Sequence, residues 1–379
     1  MECRPLALLA LWSLACGDPQ AADDAETEPT TTGVNGASSS ETTTTGPIAS
    51  STTGGDGSSS TGEGSSGEGR STTSGLDDSS GDSTGGTSGS RPPSGTPVWV
   101  AVGARRYRAA TFDGETWDEQ THDVAGGDAD LFRGVGWGNG TFVAVGGSIA
   151  RSTDGLSWEE DLVELPAWFG GVAYGNDRWV ITGGNGRHLV STDDAETWGQ
   201  GGNTIPFPSR AMAFGAGVFV SVGDSGGIAT STDGVTWTDR SEPIPTGFRA
   251  VAYGAGTWVV NGRNYLPDGV QTACLQSQDA EVWTPCAVRA AVYEGTFAAN
   301  DRLFIVHDGG YASTLDGVTW SDVDVSVPAT VFEAGERWVG ADGVQRFSGD
   351  GLDSMASVAG SESARALALG YVETMRGRN

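Results

Sequence analysis

The chain has no lysine: its 21 basic residues are all arginines, set against 49 acids, for a net charge of -28. That balance argues against binding nucleic acid or an anionic membrane surface through bulk charge. Histidine is scarce too. The three present, His122, His188 and His307, share no spacing that assembles a metal site, and no cofactor is implied. There is no His-Glu-x-x-His pair, no phosphate-cradling glycine loop and no nucleophile elbow, so the motifs of metalloproteases, nucleotide enzymes and serine hydrolases are missing. No apolar run is long enough to cross a bilayer; "LALLALWSLA" at 6–15 falls well short.

That short run has the shape of an export signal over residues 1–15. It ends in "SLAC", where small Ser13 and Ala15 precede Cys16. The arrangement resembles a bacterial lipoprotein signal, which implies that Cys16 becomes the lipidated first residue of an outer-membrane or cell-surface protein. A plain secretory signal would be cut at the same bond and leave the protein secreted or periplasmic. Either way the chain is exported, and an even pair of remaining cysteines, Cys274 and Cys286, reads as a disulfide.

Residues 16–97 are Ser, Thr, Gly and acid with almost no apolar side chains. Such a segment cannot offset its ordering entropy by burial and reads as a disordered linker. A flexible coil of about 80 residues has an end-to-end distance of roughly 50 Å, which suits a tether between an anchor and a domain.

From Val98 to the end, residues 98–379, the chain repeats. A seven-residue turn occurs as "TFDGETW" at 111–117, "STDGLSW" at 152–158, "STDGVTW" at 231–237 and "TLDGVTW" at 314–320, with a stretched copy at 191–198 and variants at 277–283 and 348–354. Every copy carries an Asp: Asp113, Asp154, Asp193, Asp233, Asp279, Asp316 and Asp350. The copies are separated by two short alternating elements, such as "FRAVAYG" at 248–254 and "TWVVNG" at 257–262, bounded by Gly and Asn. These read as strands, giving four strands (A to D) per unit and a seven-bladed β-propeller, an all-β fold. The first unit lacks strand A, and "ARALALG" at 364–370 supplies one with no unit after it. The last strand therefore completes the first blade and removes the open sheet edges.

The turn resembles the Asp-box of neuraminidase-type repeat propellers, and the resemblance implies a structural role. Asp accepts backbone hydrogen bonds within its own turn, Gly takes a positive φ at little cost, and Trp buries a large plane. A feature in every blade is scaffold. Single seven-bladed propellers of the photosystem II assembly factor type are similar in blade count and imply a protein-binding role. Sialidases share the turn, but the early Arg motif they need is absent: the matching region is "PVWVAVGARRYRAA", and Tyr293 beside Glu294 falls in an ordinary strand A.

Two features depart from the scaffold. Blade five has a long B–C connection at 262–271 beside both cysteines, which the spacing sets opposite each other across the C–D hairpin. Strand A begins with arginine in five blades, at Arg133, Arg210, Arg249, Arg289 and Arg365, with Gly170 and Thr330 in the other two. These guanidinium groups converge on one mouth of the central channel unless each pairs within its own blade, and together they form a candidate anion-binding site. The expected function is non-catalytic binding of a protein, peptide or acidic glycan at the envelope, with the membrane reached only through the lipid anchor. No catalytic or metal-ligating residue is assigned. The alternative is a glycoside hydrolase or sialidase-like enzyme.

Overall fold

The computed structural model describes residues 95–373 except 121–129, 162–167, 267–268, 289–291, 300, 335, 342–345 and 359–363. The expected signal at 1–15, Cys16, the expected linker at 16–97 up to residue 94, His122 and Arg289 lie outside the described residues.

Seven four-stranded antiparallel sheets follow one another around an axis, each running A to D from the centre outward. The alternating apolar pattern explains why. In blade two, strands A (Phe132–Gly138) and B (Thr141–Gly146) join through Asn139 and Gly140, both at positive φ (48° and 76°). That two-residue turn carries the twist that antiparallel strands need. Strand B is buried along its whole length in this blade, because neighbouring blades cover both of its faces. Large side chains from strand B fill the seams: Trp99, Trp179 and Trp258 are fully buried.

Blade one is the composite blade expected from the sequence. Its strand A is Ala364–Val372, paired antiparallel with strand B, Thr96–Gly103. Pairing thus begins two residues before Val98 and runs two residues beyond Gly370. The same strand packs against strand A of blades two and seven, which closes the ring.

Both seams of this closing blade hold a buried arginine at the start of strand C. Arg346 of blade seven lies 4.2 Å from the ring centre of Trp117 and pairs with Glu119, both in blade one. Arg108 of blade one pairs with Glu160 of blade two at 2.8 Å and lies over Trp158. Blades two and four place Ile149 and Ile228 at the same register position. The seams around the two chain ends are therefore tied by charge, whereas those two are purely apolar there.

In blade five the expected long connection is a continuation of the strands. B (Thr257–Leu266) and C (Gly269–Ser277) pair to the tip, at Leu266 and Gly269. Cys274 and Cys286 form the disulfide across the C–D hairpin, with Cα atoms 5.4 Å apart.

Candidate binding site

The aspartate turns and the A–B turns lie on one face of the ring. The B–C loops and the starts of strand A lie on the other. On the first face the carboxylates are consumed locally. Asp233 Oδ1 accepts from the backbone N–H groups of Val235 and Thr236 at 2.9 and 2.8 Å and from the Ser231 hydroxyl at 3.0 Å. Asp113, Asp154, Asp279 and Asp316 repeat this pattern, and Asp193 does so in a wider turn. The backbone donors of Thr116 and Glu115 hold the Asp113 carboxyl near a pKa of about 2. The hydroxyl and amide of Thr197 do the same for Asp193, also about 2.

The turn also fastens blades. A Cβ on Gly155 would meet Val100 of blade one at 2.8 Å, and one on Gly234 would meet Val180 of blade three at 2.4 Å. Only glycine lets these turns approach the preceding blade so closely. Asp350 departs from the pattern. Its turn is a short 3-10 helix, Leu352–Ser354, its N–H donates to Ser354 Oγ, and its carboxylate pairs with Arg337 at 3.3 Å.

On the opposite face, strand A opens with a β-bulge. In blade two Phe132 pairs with Gly146 and Gly134 with Val145, leaving Arg133 as the extra residue. The same register shift singles out Gly170, Arg210 and Arg365 in blades three, four and one. In blade five Arg249 donates its N–H to Asn261 O, while Ala250 is the register partner of Asn261. A bulge re-aims a side chain out of the sheet, so the repeated arginines are turned toward the mouth by backbone geometry.

Blade six corrects the sequence alignment. Its strand A is Tyr293–Ala299, and the bulge residue is Glu294, not Arg289. In sequence Arg289 precedes the strand, which begins at Tyr293. In blade seven, Thr330 pairs with Ala341, so the position before it, Ala329, takes the place given to Thr330. The mouth thus carries four bulge arginines and one glutamate.

These side chains do not meet at one point. Arg133 and Arg210 lie 5.0 and 4.6 Å from the ring centre of Trp168, which comes from the intervening blade three. The indole keeps the two guanidinium groups apart. Arg210 and Arg249 instead share a carboxylate. Asp224 accepts from Arg210 Nη2 at 2.8 Å and Arg210 Nε at 3.2 Å, and from Arg249 Nη1 at 2.5 Å. Burial pushes the Asp224 carboxyl up, but the two arginines outweigh it and hold the group below the usual carboxylate range. The next seam carries the reverse polarity, with Arg263 of blade five 3.3 Å from Glu294 of blade six. Arg365 makes no ion pair among the described residues.

The remaining described candidates lie in blades three and six. Tyr293 is buried in an apolar cluster, and that burial raises its hydroxyl pKa, whereas Glu294 faces Arg263. His188 stacks edge-on against Trp237, and burial lowers its pKa. His307 contacts Asp322 at 3.3 Å in blade six, where it is the register partner of Tyr293. Among the described residues no group of three or more His, Cys, Asp or Glu side chains is placed to hold a metal.

No family model and no curated protein matches the chain. Solved structures similar to it include YCF48 bound to D1 peptide, at 16% identity and a TM-score of 0.48, covering 78% of this chain and 96% of that one. YCF48 from Cyanidioschyzon merolae follows at 14% and 0.46, covering 74% and 97%. A GH74 enzyme of Niastella koreensis is similar at 15% and 0.43, covering 75% of this chain and 44% of that one.

Proposed function

We propose that this chain is an exported propeller, lipid-anchored through Cys16 at the outer membrane or cell surface, that binds a protein, peptide or acidic glycan without catalysis. The aspartate turns are Asp-box fasteners in this reading, and residues 16–94 are the tether. The ligand is received at the arginine mouth through its carboxylates. One observation carries the reading: two bulge arginines from neighbouring blades, Arg210 and Arg249, hold a carboxylate at 2.5–3.3 Å in a chain that is otherwise strongly acidic. Guanidinium forks are suited to carboxylates through paired, charge-assisted hydrogen bonds. Arg365 offers a further fork in blade one.

A glycan array probed together with C-terminal peptide libraries tests this function, with a fluorogenic glycosidase panel alongside. The expected result is salt-sensitive binding of carboxylate-bearing ligands, weakened by Arg365→Gln, with no turnover. Hydrolysis of a glycoside, or binding indifferent to ligand carboxylates, would overturn it.

A further inference from the structure

The carboxylate held at the mouth is the chain's own, and its position is unusual within the repeat. Asp224 is the first residue after strand B of blade four, Val218–Gly223. The corresponding residues of blades one, two, three, five and six are Ala104, Gly147, Gly184, Arg263 and Asp308. Asp308 is followed around the ring by the Ala329 bulge position and accepts instead from the Val292 N–H at 2.8 Å. Ala104 also lies between two bulge arginines, Arg365 and Arg133, so among the described residues at this register position only Asp224 is an acid placed between two of them.

We propose that Asp224 is an internal stand-in for a ligand's carboxylate: Arg210 and Arg249 form a carboxylate subsite that Asp224 occupies at rest and yields to an incoming carboxylate. The partner in this exchange rests on the binding function proposed above; the subsite itself does not. Three features favour exchange over a fixed staple. The Arg210 side chain is only 8% exposed, so its charge needs an anion at all times, and replacing one carboxylate by another keeps every hydrogen bond. Asp224 is 27% exposed, so its carboxylate is open to solvent on one side. The backbone is held separately: Asp224 N–H donates to Pro208 O, and Gly227 N–H donates to Asp224 O at 3.0 Å. Rotation about the Asp224 side chain alone therefore vacates the seat and leaves the loop in place.

The exchange can be tested by chemical rescue on the full chain, with acetate and formate as probes. Asp224→Ala should melt below wild type, because two guanidinium groups lose their shared counter-ion. Acetate or formate should restore the melting temperature, and chloride at equal ionic strength should not. Acetate affinity should be about tenfold or more above that of wild type. Adding Arg210→Gln to Asp224→Ala should abolish the acetate response. Asp224→Asn, which keeps the shape but not the charge, is measured in the same way should the alanine variant fail to fold. A variant that responds equally to acetate and chloride, or to neither, overturns the proposal and leaves Asp224 a staple. Rescue by acetate in a protein that captures no carboxylate ligand as wild type would sink the proposed function and keep the subsite. Ligand capture without rescue would do the opposite.

Discussion

The two faces of this ring use carboxylates in opposite ways. On the aspartate-turn face nearly every repeated Asp bonds to its own backbone, and the same device recurs in six blades. On the mouth face Asp224 and Glu294 bond to arginines from other strands, and these two seams carry opposite polarity. Repetition marks what every blade needs to stand beside its neighbour. The breaks in repetition mark where the molecule can differ from a generic propeller. Stability should therefore respond most to the seams and turns, and binding most to the mouth.

The comparison can be broken first at the ring itself. Removing residues 364–379 takes away strand A of blade one, leaves the inner edge of strand B unpaired and uncovers the neighbouring faces of blades two and seven. Loss of cooperative unfolding, or insolubility, is the expected result in a thermal melt. Next in size is Arg346→Ala, which leaves Glu119 without its partner and strips the cover from Trp117 at the closing seam. A loss of about 3 kcal/mol is expected in urea unfolding, because a fully buried side chain and its desolvated contact with Trp117 are removed. Replacing Cys274 and Cys286 by serine opens a 12-residue loop and should cost about 2–3 kcal/mol.

A smaller effect separates the faces by pH. Asp113 and Asp193 have folded-state pKa values of about 2, below the unfolded value near 4. Their contribution is complete above the unfolded value and is lost as pH falls through about 2. Asp113→Asn should accordingly flatten the acid limb of the stability profile and leave the neutral region lowered by about 1 kcal/mol. The smallest effect on stability is expected from Arg365→Gln, which breaks no ion pair among the described residues. Its melting temperature should match wild type, while its binding to carboxylate ligands drops.

Much of the scaffold was legible in the sequence because it repeats. The Asp-Gly-x-x-Trp spacing, the missing first strand A and the surplus last strand carry blade count and closure in the sequence itself. The cysteine pair was legible because Ala280 centres the hairpin between them, and it sits there at φ 59°. The mouth was legible only in part. The arginines stood out by recurrence, but Arg289 was placed by motif and lies five residues before the bulge position Glu294, while Thr330 missed its position by one. Aligning strand B ends would have found Asp224, the acid after "VSVG". Trp168 had no such signal: it precedes strand A in a connection of variable length, and only the fold sets it between Arg133 and Arg210.

Photo-crosslinking from the two faces tests the central claim most directly. A benzophenone side chain is placed at exposed Ser225 on the mouth, and separately at exposed Thr236 on the aspartate-turn face. Both proteins are irradiated with the same carboxylate-bearing ligand identified on the arrays. The account predicts adducts from Ser225 that fade as salt is added, and none above background from Thr236. Equal adducts from the two positions, or adducts from Thr236 alone, would contradict it.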